Sequence, residues 1–359
     1  MFSANGKALP PSNTKTLITK VIEAMRDRMP WMVAKKILAE YSVPAGHGWD
    51  NTLQAVSTSD LRNVDISGLT DAYVDHLCFG EKSIRLYTFS AKDMAQLRTR
   101  IASFQSPAAL PLPLTGTALK KAALSDPSLI YVRKAADGIT AVYSSVRRKD
   151  EQVRINTSAF NAATLKAIGD FDEIIGIQSR RLQAYDVVWL PKKGNTVEVR
   201  TDHLVGETKE TINNAQQKIY ADLHAKSGSH QLVSPVDLFS VIKPIYDNAK
   251  EGIVIELAFA TSTGSTKHEK MRNHSDCLRR EVYHVNGKAA LKTQIEPYRI
   301  GVTWPVESAD GSGIAPELFL EGRATMAGST APGLHTATIR KCRNRADYDR
   351  VLTKLEEYL

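Results

Sequence analysis

Residues 105–115, QSPAALPLPLT, divide this chain of 359 residues into regions of different periodicity. Pro107, Pro111 and Pro113 lack the backbone N–H that a helix interior or a central strand needs, so the segment is expected to run extended as a linker. Before it, apolar residues recur at helical spacing. Leu17, Ile18, Val21, Ile22 and Met25 form one face, with Ser12 or Asn13 placed to cap it. A second helix is expected from about Pro30, with Met32, Val33, Ile37 and Leu38 inward. A third follows Trp49, and a fourth follows Ser67-Gly68 through Leu69, Tyr73, Val74 and Leu77. Residues 83–89 alternate like a strand, and 91–104 return to helical spacing.

Beyond the linker the period drops to two. Residues 129–134 and 139–146 flank Ala135-Ala136-Asp137-Gly138, where Asp-Gly is expected to supply the positive φ of a tight hairpin turn. A second hairpin joins 185–190 to 196–200 through 191–195, and a helix covers 210–225. Ser234-Pro235 is expected to open another helix, kinked or ended by Pro244. Strands follow at 253–260, 298–304, 318–324 and 336–341, and a closing helix puts Tyr348, Val351, Leu352, Leu355 and Leu359 on one face. These elements predict an α+β fold with largely antiparallel sheets: a helical N-terminal domain at 1–106, a linker at 107–115, and α+β domains at 116–230 and 231–359.

Charge narrows the partner. Lys and Arg number 47 against 39 Asp and Glu, a formal net charge of +8, which favours an acidic partner and nucleic acid first among them. Three clusters are expected to contact phosphate: Arg147-Arg148-Lys149; Lys267, Lys270, Arg272, Arg279 and Arg280; and Arg340, Lys341, Arg343 and Arg345. The chain therefore reads as a DNA- or RNA-binding accessory component of a bacterial nucleic-acid-handling system. The odd count of three cysteines, without a CxxC pair, argues for reduced thiols. No apolar run reaches the roughly 18 residues of a membrane helix, and the first twenty residues lack a signal-peptide core, so a cytoplasmic location is expected.

Catalytic signals are fewer. Asp186 and the Glu198-Val199-Arg200 run lie on the two arms of the second expected hairpin, a pattern that resembles the PD-(D/E)xK nucleases. The resemblance implies a divalent metal, Mg2+, held by Asp186 and Glu198, with Glu173 available to complete the carboxylate set. The position of the family's lysine is Arg200, which stays protonated and cannot act as a base. The loop decides the geometry. With a four-residue loop, 192–195, Leu190 pairs with Val197 and Asp186 faces away from Glu198; a five-residue loop brings both acids to one face. Otherwise Glu198 and Arg200 are the outward polar residues of an amphipathic strand.

His268, His274, Asp276, Cys277 and His284 offer zinc-ligand types, but at no common zinc spacing, and no metal or cofactor is expected outside the nuclease reading. Residues 261–266, TSTGST, can cradle an anion with backbone N–H groups. GxxxxGK[ST], GxGxxG and GxSxG are absent. A third reading is an interaction scaffold whose N-terminal helices dock a protein partner.

Overall fold

A computed structural model describes residues 11–359 except 157, 159, 170, 172, 205, 307–312 and 314, with side chains from residue 14 onward. The first helices are α1 (Pro11–Arg26), α2 (Trp31–Glu40), α3 (Trp49–Thr58) and α4 (Ile66–Phe79), followed by β1 (Lys82–Thr88), α5 (Ala91–Ala102) and α6 (Gly116–Lys121). Next come β2 (Ser128–Lys134), β3 (Gly138–Arg154), α7 (Ala162–Ile168), β4 (Ile175–Pro191), β5 (Thr196–Asp202) and α8 (Lys209–Ser227). The remainder is α9 (Phe239–Asp247), β6 (Ile253–Ala260), β7 (Thr266–Lys270), α10 (Val282–Ala289), β8 (Glu296–Thr303), β9 (Glu317–Glu321), β10 (Ala337–Arg340) and α11 (Arg345–Glu356). The fold is α+β, as expected.

All ten strands among the described residues join one antiparallel sheet in the order β2-β3-β4-β5-β1-β10-β9-β8-β6-β7. Segments 1–106, 116–230 and 231–359 share it, because β1 from the first sits between β5 of the second and β10 of the third. Two cores line its faces. Met94, Leu97 and Ile101 of α5 and Ile219 and Leu223 of α8 pack on Tyr143, Val188, Val197 and Val199. On the other side, Ile18, Ile22 and Met25 of α1, Leu69 and Leu77 of α4, and Val351 and Leu355 of α11 join a core with Ile84, Leu86 and Val187. Side-chain caps start the helices where local chemistry permits: Asp65 accepts from Gly68 N at 2.9 Å, Ser90 from Asp93 N at 3.1 Å and Asn344 from Asp347 N at 3.1 Å.

Several local expectations change. α1 begins at Pro11, so Ser12 and Asn13 lie inside it, and their side chains fall outside the described residues. Met32 is exposed rather than inward. Residues 105–115 are free of regular structure up to Thr115, yet they pack on the sheet: Leu110 is buried and the Tyr185 hydroxyl donates to Pro111 O at 3.0 Å. Gly138 has no positive φ. It is needed for close approach instead, since a Cβ there would meet the Trp189 ring at 2.7 Å. Ser234-Pro235 does not open a helix; Pro235 bridges Tyr87, and Val236 N donates to Leu86 O at 2.8 Å, extending the chain beside β1 until α9 begins.

The largest departure is the length of the central hairpin. β3 and β4 pair without interruption from Gly138↔Pro191 to Arg154↔Ile175. β2 accompanies β3 only as far as Ser144, and β5 accompanies β4 only from Val187 onward. Beyond those points the pair continues as a two-stranded ribbon carrying Arg148 to Arg154 and Ile175 to Arg181.

Candidate nucleic-acid interface

The root of the ribbon is built from like charges. Arg148 on β3 stands directly opposite Arg181 on β4, and the next rung sets Lys149 opposite Arg180. Like charges directly across an antiparallel pair repel, so two such rungs in succession cost stability unless counter-charge is supplied. Two carboxylates supply part of it. Arg148 Nε donates to Asp150 at 2.9 Å, and Glu151 pairs with both Lys149 at 2.7 Å and Arg180 at 2.9 Å. Arg181 reaches across to Lys120 O and so ties α6 to the ribbon.

These rungs border a groove of 1240 Å³ between the ribbon and the helices. Arg26 and Arg28 from the end of α1, Lys120 from α6 and Arg340 from β10 join the four rung cations on its wall, against Asp27 and Glu151. Trp49 and Pro30 add an apolar stretch, and Trp49 is fixed edge-on against Trp31 at 5.1 Å between ring centres. Burial holds the Asp27 carboxyl above its usual range despite Arg26 and Arg28 nearby. The groove is therefore a cationic trough with a partly apolar floor, suited to a polyanion.

Of the residues expected to contact phosphate, Arg148, Lys149 and Arg340 meet at this groove, Arg340 while also pairing with the buried Glu81 at 3.2 Å. Arg147 does not; it is buried between Asp186 at 2.5 Å and Glu207 at 3.2 Å. Arg279 is also committed, donating to the backbone carbonyls of Ile245, Tyr246, Glu251 and Gly252 at the end of α9. Lys267 and Lys270 lie on β7, eight strand positions from β3, or roughly 38 Å along the sheet. Arg272 and Arg280 are exposed in the segments that follow β7. Lys341 binds Glu317 at 2.6 Å, Arg343 binds Asp347 at 3.0 Å, and Arg345 bridges Asp137 and Asp349 while stacking on Trp189 and Phe79. The basic runs thus disperse, and Arg180, Arg181, Lys120 and Arg26 replace them, while Arg28, though on the wall, is buried and bound to Asp202 and Gln183 O. Of these the Arg180-Arg181 doublet and Lys120, in the Lys120-Lys121 pair, stand out as local runs in the sequence.

The nuclease-like hairpin adopts the four-residue register. Val187 pairs with Arg200 and Trp189 with Glu198, so Asp186 lies on the α8 side and Glu198 on the α11 side of the sheet. The two acids do not converge on one metal. Asp186 is held by Arg147 and by the backbone N–H of Asp202 at 2.9 Å. Glu198 is held by Arg200 at 2.8 Å and by the Tyr348 hydroxyl at 3.1 Å. Nor are Glu198 and Arg200 outward: both are buried, with the Arg200 guanidinium 4.3 Å from the Tyr348 ring centre. They line a 540 Å³ cavity whose charges mostly cancel in pairs, Glu198 with Arg200 and Arg345 with Asp137 and Asp349. Glu173 pairs with Arg154 on the ribbon, remote from both acids.

The candidate zinc ligands scatter as well. His268 binds Glu256 at 2.9 Å, His274 binds Glu317 at 3.1 Å, and His284 sits between Glu269 and the Tyr246 hydroxyl. The Cys277 sulfur accepts from Val254 N at 3.4 Å. Among the described residues no group of three or more His, Cys, Asp or Glu side chains is placed to hold a metal ion. Residues 261–266 form the turn between β6 and β7, where Thr261 N, Gly264 N and Ser265 N donate within the turn and are spent. All three cysteines are free and buried, and no described helix is long and apolar enough to cross a membrane.

No protein-family model matches the chain, and no curated protein matches it in sequence.

Proposed function

We propose that the chain binds nucleic acid in the groove at the root of the β3–β4 ribbon, as an accessory component of a DNA- or RNA-handling system. The observation that carries this reading is the pair of like-charged rungs, Arg148↔Arg181 and Lys149↔Arg180. They cost stability in the free protein and are relieved by a polyanion laid across them. The additional cations on the groove wall and the nearby Trp49 give such a polyanion further phosphate and base contacts. A cytoplasmic location, where free thiols stay reduced, goes with this reading.

The test is a titration of mixed-sequence single- and double-stranded oligonucleotides at two salt concentrations. The wild type is expected to bind with log affinity falling steeply against log salt, by about 0.9 per duplex phosphate neutralised. The Arg148→Ala/Arg180→Ala variant is expected to bind more weakly on every sequence and to lose about two from that slope. Its unfolding midpoint in urea should stay level or rise slightly, because both repulsive rungs are removed and only exposed ion pairs are lost. Affinity indifferent to salt, or equal in the variant, would dismiss the groove as the site.

A further inference from the structure

Resting on the nucleic-acid reading, we infer that the ligand is B-form duplex DNA and that the β3–β4 ribbon enters its major groove. One face of the ribbon consists of Arg148, Asp150, Gln152 and Arg154 on β3 with Arg181, Ser179, Ile177 and Ile175 opposite them on β4. All eight are exposed, and among the described residues neither strand has a further strand beside it along this stretch. The seven rungs from Arg148↔Arg181 to Arg154↔Ile175 reach about 23 Å, and a two-stranded ribbon has the width that the roughly 12 Å major groove admits.

The side chains on that face are of the types that read base edges. Arginine matches guanine, glutamine matches adenine, serine accepts or donates, and an isoleucine packs on a thymine methyl. Ile177 is 73% exposed, which costs apolar hydration in the free protein and is relieved against a methyl group. The rung cations at the ribbon's root then lie where the DNA backbone would pass as the ribbon enters, so phosphate positioning and base contact come from one hairpin. An A-form RNA duplex has a deep, narrow major groove that excludes such a ribbon, and a single strand has no groove at all.

The experiment uses fluorescence anisotropy of the full chain with three labelled probes of one mixed sequence: a 20-base-pair DNA duplex, the corresponding DNA single strand and the RNA duplex. The DNA duplex is expected to bind at least about tenfold more tightly than either other probe. Gln152→Ala/Ile177→Ala, which removes base contacts without changing charge, should lower duplex affinity at least about tenfold while changing single-strand binding less than twofold. A groove-wall variant, Arg26→Glu/Lys120→Glu, should weaken binding to all three probes. Equal affinity for the three probes, or an unchanged duplex affinity in the ribbon variant, overturns the major-groove assignment while the groove reading stands. Absence of binding to any probe overturns both.

Discussion

Asp202→Ala is expected to lower the free energy of unfolding by about 3–5 kcal/mol, seen as a fall in the urea midpoint with little change in slope. Asp202 is buried at the end of β5, where its carboxylate receives Lys82 Nζ at 2.5 Å, the Arg28 guanidinium and the backbone N–H of Tyr185 at 2.6 Å. The ladder between β4 and β5 ends at Val187↔Arg200. Past that point two aspartates continue the work of the strands, Asp202 accepting from Tyr185 N and Asp186 from Asp202 N. Removing the Asp202 carboxylate strands two buried cations and one buried N–H. Lys82→Met leaves the carboxylate paired with Arg28 and should cost markedly less. Equal losses in the two variants would show that packing rather than the carboxylate carries the effect.

The same residue sets part of the acid limit. Burial alone would raise the Asp202 carboxyl, but Arg28 and Lys82 outweigh it and hold the group at about 2. Its contribution is thus complete above the unfolded carboxylate range near 3.8 and is lost as pH falls towards 2, on the order of 2 kcal/mol in all.

His76→Leu is expected to remove an earlier and larger acid sensitivity. His76 lies buried on α4, and neither ring nitrogen has a hydrogen-bond partner among the described residues. Burial, with the positive charges of Arg28 and Lys82 added, pushes its pKa down to about 3. A depressed histidine keeps its stabilising neutrality above the unfolded value of 6.5 and loses it as pH falls from there towards 3. By pH 4 the wild type should therefore have lost roughly 3 kcal/mol through this one group. Urea unfolding curves between pH 7 and 4 should show that slope, and the leucine variant should be nearly flat over the interval. At pH 7 the variant should be at least as stable as the wild type, since it buries no unpartnered nitrogen. An acid slope unchanged by the substitution would mean that other groups carry it.

Legibility followed the presence of an apolar stripe. The helical face of Ile18, Val21, Ile22 and Met25 buries against one core, and residues 185–190 bury Tyr185 and Val187 on one face of the sheet and Val188 and Leu190 on the other, so both stretches show in the chain as apolar patterns. The outer ribbon has no such stripe. Arg148-Lys149-Asp150-Glu151-Gln152 presents polar residues to both sides, which is the pattern of a loop as much as of a strand facing water on both faces. β5 fails in the opposite sense. Its Glu198, Arg200 and Asp202 alternate with Val197, Val199 and Thr201 like a strand with one wet face, but α4 and α11 cover that face and the charges are paired inside.

The sequence by itself determined the α+β class, most of the element positions and the excess of positive charge, because these depend on composition and on contacts a few residues apart. Only the tertiary structure decided which charges are available. Arg147 and Arg148 are chain neighbours, yet one is buried in a pair with Asp186 and the other lies on the groove wall. The sheet likewise seats β1 between β5 and β10 and brings Arg26 of α1, Arg181 of β4 and Arg340 of β10 to one trough. Such meetings span most of the chain length, and no local pattern encodes them.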